Sequence, residues 1–154
     1  MRLTLRGEYA LRALLALGLH PATEIVRIQT IADEQRIPKR FLEQILTDLK
    51  EVGVVESRRG VQGGYRLARP ASKISLAEVI RHIDGPLAPI SCVSERFYEP
   101  CTCPDEARCG IRAIMREVRD SVSQVLEGIS IEDVCQRARA LKQKPDAPAG
   151  DYVI

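Results

Sequence analysis

Apolar positions recur at three- and four-residue spacing along most of this chain, and that pattern, read with its capping signals, predicts six helices. In residues 6–17, Ala10, Leu11, Leu14 and Leu15 share one face, and Gly18 suits the exit. Residues 26–35 give a short second helix with Ile28, Ile31 and Ala32 on one side. The stretch IPKRFLEQILTDLKEVG carries the clearest stripe: Phe41, Leu42, Ile45, Leu46, Leu49 and Val52. Pro38 fits its first helical position and Gly53 its exit. Ser75 with Glu78 three residues later reads as a capping box for a helix that Gly85 ends. Further on, Ile111, Ile114, Met115, Val118, Val122, Val125 and Leu126 make a long stripe. Ser130 with Asp133 caps a last helix that runs through Cys135 to about Leu141.

The pattern changes between the third and fourth helices. Strand-like pieces at 54–57 and 65–68 flank the tip RRGVQGG, where Gly60, Gly63 and Gly64 supply the turn. A ribbon straight after a helix pair is the wing of a winged helix-turn-helix. The predicted fold is therefore mainly α with a small two-stranded wing, followed by a long helix. The stripe at 111–126 exceeds what one short domain covers, so that helix is expected to dimerise. The chain divides into a DNA-binding winged helix (1–85), a cysteine-rich loop (86–108), a dimerisation helix with a final helix (109–142), and a flexible tail rich in Pro, Ala and Gly (143–154).

Composition narrows the class. With 154 residues and 45% apolar content, the chain fits one domain or a small domain with an appendage. Residues 1–81 hold 14 of the 23 Lys and Arg but only 9 of the 21 Asp and Glu, so the front is basic and the back acidic. A basic front suggests a polyanionic partner. The apolar face of the first twenty residues is interrupted by Arg6, Glu8 and Arg12, too soon for a signal or membrane segment. A cytoplasmic protein with no membrane partner is expected.

A helix-turn-helix sets the start of its second helix in the major groove. Here that start offers Lys39, Arg40, Glu43 and Gln44. Lys39 and Arg40 can reach phosphate or guanine, Gln44 can read adenine, and Glu43 can accept from cytosine or repel wrong sequences. The wing adds Arg58, Arg59 and Gln62 between glycines, with Tyr65 at its root. The expected partner is double-stranded promoter DNA, read by a homodimer.

Four of the five cysteines fall in one polar loop, spaced Cys92-x8-Cys101-x-Cys103-x5-Cys109. In a reducing compartment such a cluster points to metal or redox chemistry. No C-x2–4-C knuckle is present, and the two histidines, His20 and His82, lie elsewhere in the chain, so zinc is poorly matched. Thiolates also suit iron–sulfur clusters, whose spacing is more permissive. Arg96 and Arg108 are expected to favour thiolates. A reversible disulfide, particularly through Cys101 and Cys103, stays open. Cys135, on a helix beside Val134, reads as packing. No nucleophile–base pair, phosphate-cradling loop or open catalytic metal site is evident, so no enzyme is expected.

The phrases MRLTLRGEYALRAL, FLEQIL, LKEVGVVESRRGVQGGYRLARP, EVIRHIDGP and CPDEARCGIRAIM together resemble the Rrf family of winged-helix regulators, the IscR/NsrR type. The similarity extends from Met1 to about Ala140. The resemblance implies a homodimer with a crossed dimerisation helix, and an iron–sulfur cluster, [2Fe-2S] or [4Fe-4S], that modulates promoter binding. It implies Cys92, Cys103 and Cys109 as metal ligands and a role for Glu43 in operator tolerance. In the IscR type a His follows the last cysteine by three residues, where this chain has Arg112, which cannot ligate. Other members use a carboxylate on the first helix of the partner subunit, so the resemblance offers Glu8 of the partner subunit as fourth ligand, with Cys101 the other candidate. A further branch, the CymR type, lacks the cysteines. The function expected is a DNA-binding repressor controlled by a cluster. The alternatives are a metal-free thiol-redox switch and a zinc-containing winged-helix module that binds protein.

Overall fold

The computed structural model describes residues 3–143; of the expected tail at 143–154, Gln143 is the C-cap of the last helix and the rest lies outside the described residues. Six helices and one antiparallel ribbon follow in the order α1 (Leu5–Leu19), α2 (Ile28–Gln35), α3 (Lys39–Glu51), β1 (Val55–Arg58), β2 (Gly64–Leu67), α4 (Leu76–Ile83), α5 (Gly110–Glu127) and α6 (Ile131–Lys142). Short 3-10 turns stand at Ala71–Lys73 and Ser91–Val93.

The first helix, α1, is the hub. It buries Ala10, Ala13, Leu14, Ala16 and Leu17 and touches α2, α3, α4, α6 and β2. The alanines leave room for neighbours to approach on several sides. Thr4 caps its start, accepting from the Gly7 N–H at 3.1 Å. Asp84, at the far end of α4, accepts from both the Thr4 N–H (2.9 Å) and the Thr4 hydroxyl. A Cβ on Gly7 would sit 2.1 Å from Asp84 Oδ2, so only glycine lets this clasp close.

The helix does not stop at Gly18 as its sequence suggests; it continues to Leu19, and His20 is the C-cap. Gly18 serves close approach instead, since a Cβ there would lie 2.6 Å from Cys135 Sγ on α6. Cys135 and Ile131 are fully buried in the main core, so α6 packs back on α1. A backbone bridge reinforces this return: Leu76 N donates to Ile129 O and Ile131 N to Ile74 O, each at 2.9 Å.

The second helix begins at Ile28, two residues later than expected, because Val26 pairs with the wing. Between α2 and α3 the chain turns at Arg36, which takes a left-handed conformation (φ 51°) and donates its N–H to the Ala32 and Asp33 carbonyls. In α3, Leu42, Ile45, Leu46 and Leu49 are buried, whereas Phe41 and Val52 lie largely exposed at the stripe's edges. Pro38 is its N-cap, and Gly53 ends it at φ 70°.

The ribbon register sets Val55 opposite Leu67 and Arg58 opposite Gly64, one residue from the expected strand bounds. Ser75 caps α4 by accepting from the Glu78 N–H at 3.2 Å. The Glu78 carboxylate does not return the bond but pairs with Arg69, so the capping box is half formed. The box on α6 is complete: Ser130 Oγ accepts from Asp133 N, and Asp133 accepts from Ser130 N at 2.8 Å.

The long helix α5 buries no residue. It leans on α4 and on the turn Ser91–Val93, and Leu126 packs on a small second core of Ala77, Ile80 and Leu87. Among the described residues no helix is long and apolar enough to cross a membrane.

Candidate functional site: a nucleic-acid interface and a thiol loop

The first part of the site is an exposed basic edge. Lys39, Arg40, Glu43 and Gln44 all lie exposed on the first two turns of α3. The buried residues of α3 face α1, which turns these polar ones outward. Arg40 stacks over the Phe41 ring (4.8 Å), and Phe41 meets Tyr9 at 6.3 Å between ring centroids. Phe41 is thus a platform under a guanidinium rather than core. Among the described residues no ion pair engages Lys39, Arg58 or Arg59. Unpaired exposed cations suit phosphate.

The wing is held to the helix pair at its root. Val26 N donates to Tyr65 O at 2.9 Å, and Tyr65 N to Val26 O at 2.8 Å. This brings Tyr65 to the main core, where it is half-buried, while Arg58, Arg59 and Gln62 are exposed along the ribbon. A Cβ on Gly64 would come within 2.3 Å of Val26 O, so the wing docks only through glycine. Gly60 turns the tip at φ 109°. Val61 at that tip is 95% exposed. Sequence reasoning passed over it, although an apolar side chain on a wing tip can contact bases or wedge a groove.

The second part is the thiol loop between α4 and α5. Its foot is the turn Ser91–Val93, where Cys92 and Val93 are buried. Its far end is Cys109, the N-cap of α5, whose Sγ accepts from Arg112 N at 3.4 Å. Helix N-termini carry partial positive charge, so the start of α5 faces whatever negative charge thiolates bring.

The fold brings all four loop cysteines together. All four are free thiols; Cys92 and Cys101 are hydrogen-bonded neighbours, as are Cys101 and Cys103. Cys109 Sγ lies 3.9 Å from Cys103 Sγ. The four line one open cavity of about 450 Å³ with Ile90, Pro100, Ile111 and Arg112 among its other walls. Neither histidine lines it. Among the described residues no three His, Cys, Asp or Glu side chains close on a single metal ion. The sulfurs form a chain of neighbours instead. Cys135 is apart, buried against α1.

The thiols differ in acidity. Hydrogen bonds to the Cys101 and Cys109 sulfurs push the exposed Cys103 thiol up to about 12. The Cys103 backbone N–H, and then its thiol, hold Cys101 below the usual thiol range. Burial, then the charge on Cys101, raise Cys92, and Arg112 pulls it the other way. The cation at the thiols is therefore Arg112. Arg108 instead points out beside Asp105, and Arg96 lines a different cavity with Phe97.

Glu8 lies in the first turn of α1, exposed and paired with Arg12 at 3.2 Å. It does not line the cysteine cavity of its own protomer.

A helix pair whose second helix opens on exposed Lys39 and Arg40, a wing docked through glycine and an appended thiol loop are the features of a winged-helix DNA-binding regulator. The chain belongs to the Rrf2 family, described as iron-dependent transcriptional regulators, whose family model matches residues 3–137. It is 42% identical over 136 residues to an rrf2-like HTH-type transcriptional regulator of Rhodobacter capsulatus, covering 86% of this chain and 91% of that one. Two solved structures are similar in fold. One is CymR, the global cysteine regulator of B. subtilis (TM-score 0.75, 26% identity, 89% and 98% of the two chains). The other is IscR of T. potens (TM-score 0.74, 25% identity, 95% and 94%). The chain is accordingly a DNA-binding transcriptional regulator, and these relatives are named as regulators rather than enzymes.

Proposed function

We propose that this regulator is a cytoplasmic homodimeric repressor whose promoter binding is controlled by an iron–sulfur cluster in the loop at 86–108. The observation that carries the reading is the convergence of four sulfurs at the N-terminus of α5. A chain of neighbouring thiols suits a group that takes its ligands on several irons better than it suits one ion. Cys92, Cys103 and Cys109 would hold it. Cys101, which lines the same cavity as Cys92, Cys103 and Cys109, is favoured over the partner subunit's Glu8 as fourth ligand. When bound, such a group brings a charge and oxidation state that respond to iron supply, nitric oxide or redox state.

The segment 1–85 would read DNA through Lys39, Arg40, Glu43 and Gln44 in the major groove and Arg58, Arg59, Gln62 and Tyr65 at the wing. The dimer reading rests on α5. Its exposed Ile111, Ile114, Val118 and Val125 follow a three- and four-residue rhythm on the face away from α4. Ile111, Val118 and Val125 stand seven apart, the seam spacing of a coiled coil. Pairing of this face with a second copy would cover it and set two α3 helices on one palindromic site.

The test compares cluster-loaded wild type with its Cys92→Ser, Cys103→Ser and Cys109→Ser variants for binding to duplex DNA under anaerobic conditions. Affinity that differs between loaded wild type and all three variants supports the reading; identical affinities contradict it. Cys101→Ala and Glu8→Ala, compared for iron content, decide the fourth ligand.

One distance favours a second reading. Cys103 and Cys109 sulfurs at 3.9 Å need only a small shift to form a disulfide. Two thiols would then give up two electrons and two protons to a peroxide, whose O–O bond breaks to leave two waters, or an alcohol and a water from an alkyl hydroperoxide, as the S–S bond forms. That reading predicts a colourless protein whose DNA affinity follows peroxide.

A further inference from the structure

The inner face of α5 carries two arginines, Arg112 and Arg119, two helical turns apart. Their side chains are only 24% and 15% exposed. Arginines are rarely so covered unless their donors are engaged. Here the engaged partners include backbone carbonyls. Arg112 Nε donates to Cys92 O at 3.1 Å, and Arg119 Nη1 to Val93 O at 2.6 Å. These are consecutive residues of the turn at the foot of the thiol loop, and the first belongs to a proposed ligand.

The same two guanidiniums reach the rest of the loop. Arg112 pairs with Glu106 (3.2 Å), which accepts from the Tyr98 hydroxyl at 2.8 Å. Arg119 pairs with Glu95 (3.5 Å) and with Asp120 on its own helix. Both ends and the middle of the loop are therefore tied to one face of α5. The exposed apolar seam of Ile111, Ile114, Val118 and Val125 runs along the helix about a third of a turn round from these arginines.

We infer that Arg112 and Arg119 are positioning residues that transmit the state of the thiol loop to α5, and so to the spacing of the two DNA-reading heads. This rests on the proposed function. A shift of the Cys92–Val93 backbone would move two charge-assisted hydrogen bonds at once. Because these anchor the helix at two points, it must rotate or slide as a rigid body rather than bend locally.

Arg119→Met keeps the stem and removes the donors, and Arg119→Lys restores one of them. Each is compared with wild type and with Arg112→Met in full-length protein. Iron and sulfide content and the visible spectrum report the cluster. Fluorescence anisotropy reports affinity, loaded and cluster-free, for a labelled duplex selected from a random-sequence pool with the wild-type protein. The expected result is an unchanged spectrum and unchanged cluster-free affinity in Arg119→Met. The ratio of loaded to cluster-free affinity should move about tenfold towards one, the scale of ordinary coupling energies, with part of the ratio recovered in Arg119→Lys. Arg112→Met should shift the ratio in the same direction. A wild-type ratio retained in both methionine variants overturns this inference alone. Loss of the cluster in both would make the arginines retention groups and also overturns it. A wild-type protein that takes up no cluster overturns the proposed function and this inference with it.

Discussion

Replacing Gly64 by Ala tests how the wing is held. The added Cβ would stand 2.3 Å from Val26 O, 2.7 Å from Val26 C and 3.0 Å from Arg27 N, all backbone atoms that cannot swing aside. The ribbon must retreat, and the pair of hydrogen bonds between Val26 and Tyr65 (2.8 and 2.9 Å) is lost or stretched. Two such bonds contribute about 2 kcal/mol net, and the residual crowding costs about 1 kcal/mol or more. A loss of about 3 kcal/mol lowers the melting temperature by roughly 6–12 °C for a chain of this size. The loss is smaller than typical total stability, so the protein stays folded at 25 °C. Its wing is no longer pre-positioned, and DNA affinity should fall about tenfold, one charge-assisted contact's worth. Thermal melts followed by circular dichroism and DNA titrations by anisotropy read the two effects. Val61→Ala, at the exposed tip, should leave the melt unchanged. A Gly64→Ala protein that melts like wild type would refute the docking geometry.

Other predictions follow from single contacts. Gly18→Ala should destabilise by about 1–3 kcal/mol through its 2.6 Å clash with Cys135 Sγ, and adding Cys135→Ala should recover part of that loss in a double-mutant cycle of urea melts. Ser130→Ala should cost about 1 kcal/mol at neutral pH by removing the α6 cap. Bonds from Ser130 hold the Asp133 carboxyl below its usual range, so their contribution is complete above that range and fades as pH falls through the lowered value. The deficit of Ser130→Ala against wild type should therefore shrink on acidification, measured as melting temperature against pH. Arg59→Ala should weaken DNA binding and reduce the slope of log K against log salt by about one unit; an unchanged slope would mean that Arg59 touches no phosphate.

Much of this architecture is written locally. The stripe in α3, the serine caps of α4 and α6 and the glycines of the ribbon are short-range signals, and each element formed where they stand. Gly18 misled because glycine suits both a helix exit and a close crossing, and only the return of α6 decides which. The turn before α3 is made by Arg36 in a left-handed conformation, a position without a sequence signature. Phe41 and Val52 fit the apolar rhythm yet lie at its edge, where a small rotation of the helix exposes them.

The thiol loop was legible as a cluster of cysteines because four in one polar stretch is a compositional signal. Its geometry was not. Arg96 and Arg108 are nearer some cysteines in sequence, yet Arg112 supplies the cation, because the loop folds its foot back against α5. The long stripe of α5 likewise reads as one face but divides into two. Met115, Val122 and Leu126 turn partly inward, and Ile111, Ile114, Val118 and Val125 turn outward. That division depends on where α4 and the loop dock, which no local pattern encodes.

The central claim is that the gathered thiols hold an iron–sulfur cluster. Its most direct test is an absorption spectrum of anaerobically purified protein, with iron, sulfide and zinc assays on the same sample. The account predicts a coloured protein with stoichiometric iron and sulfide, both lost in Cys103→Ser. A colourless protein that takes up neither after anaerobic reconstitution would contradict it.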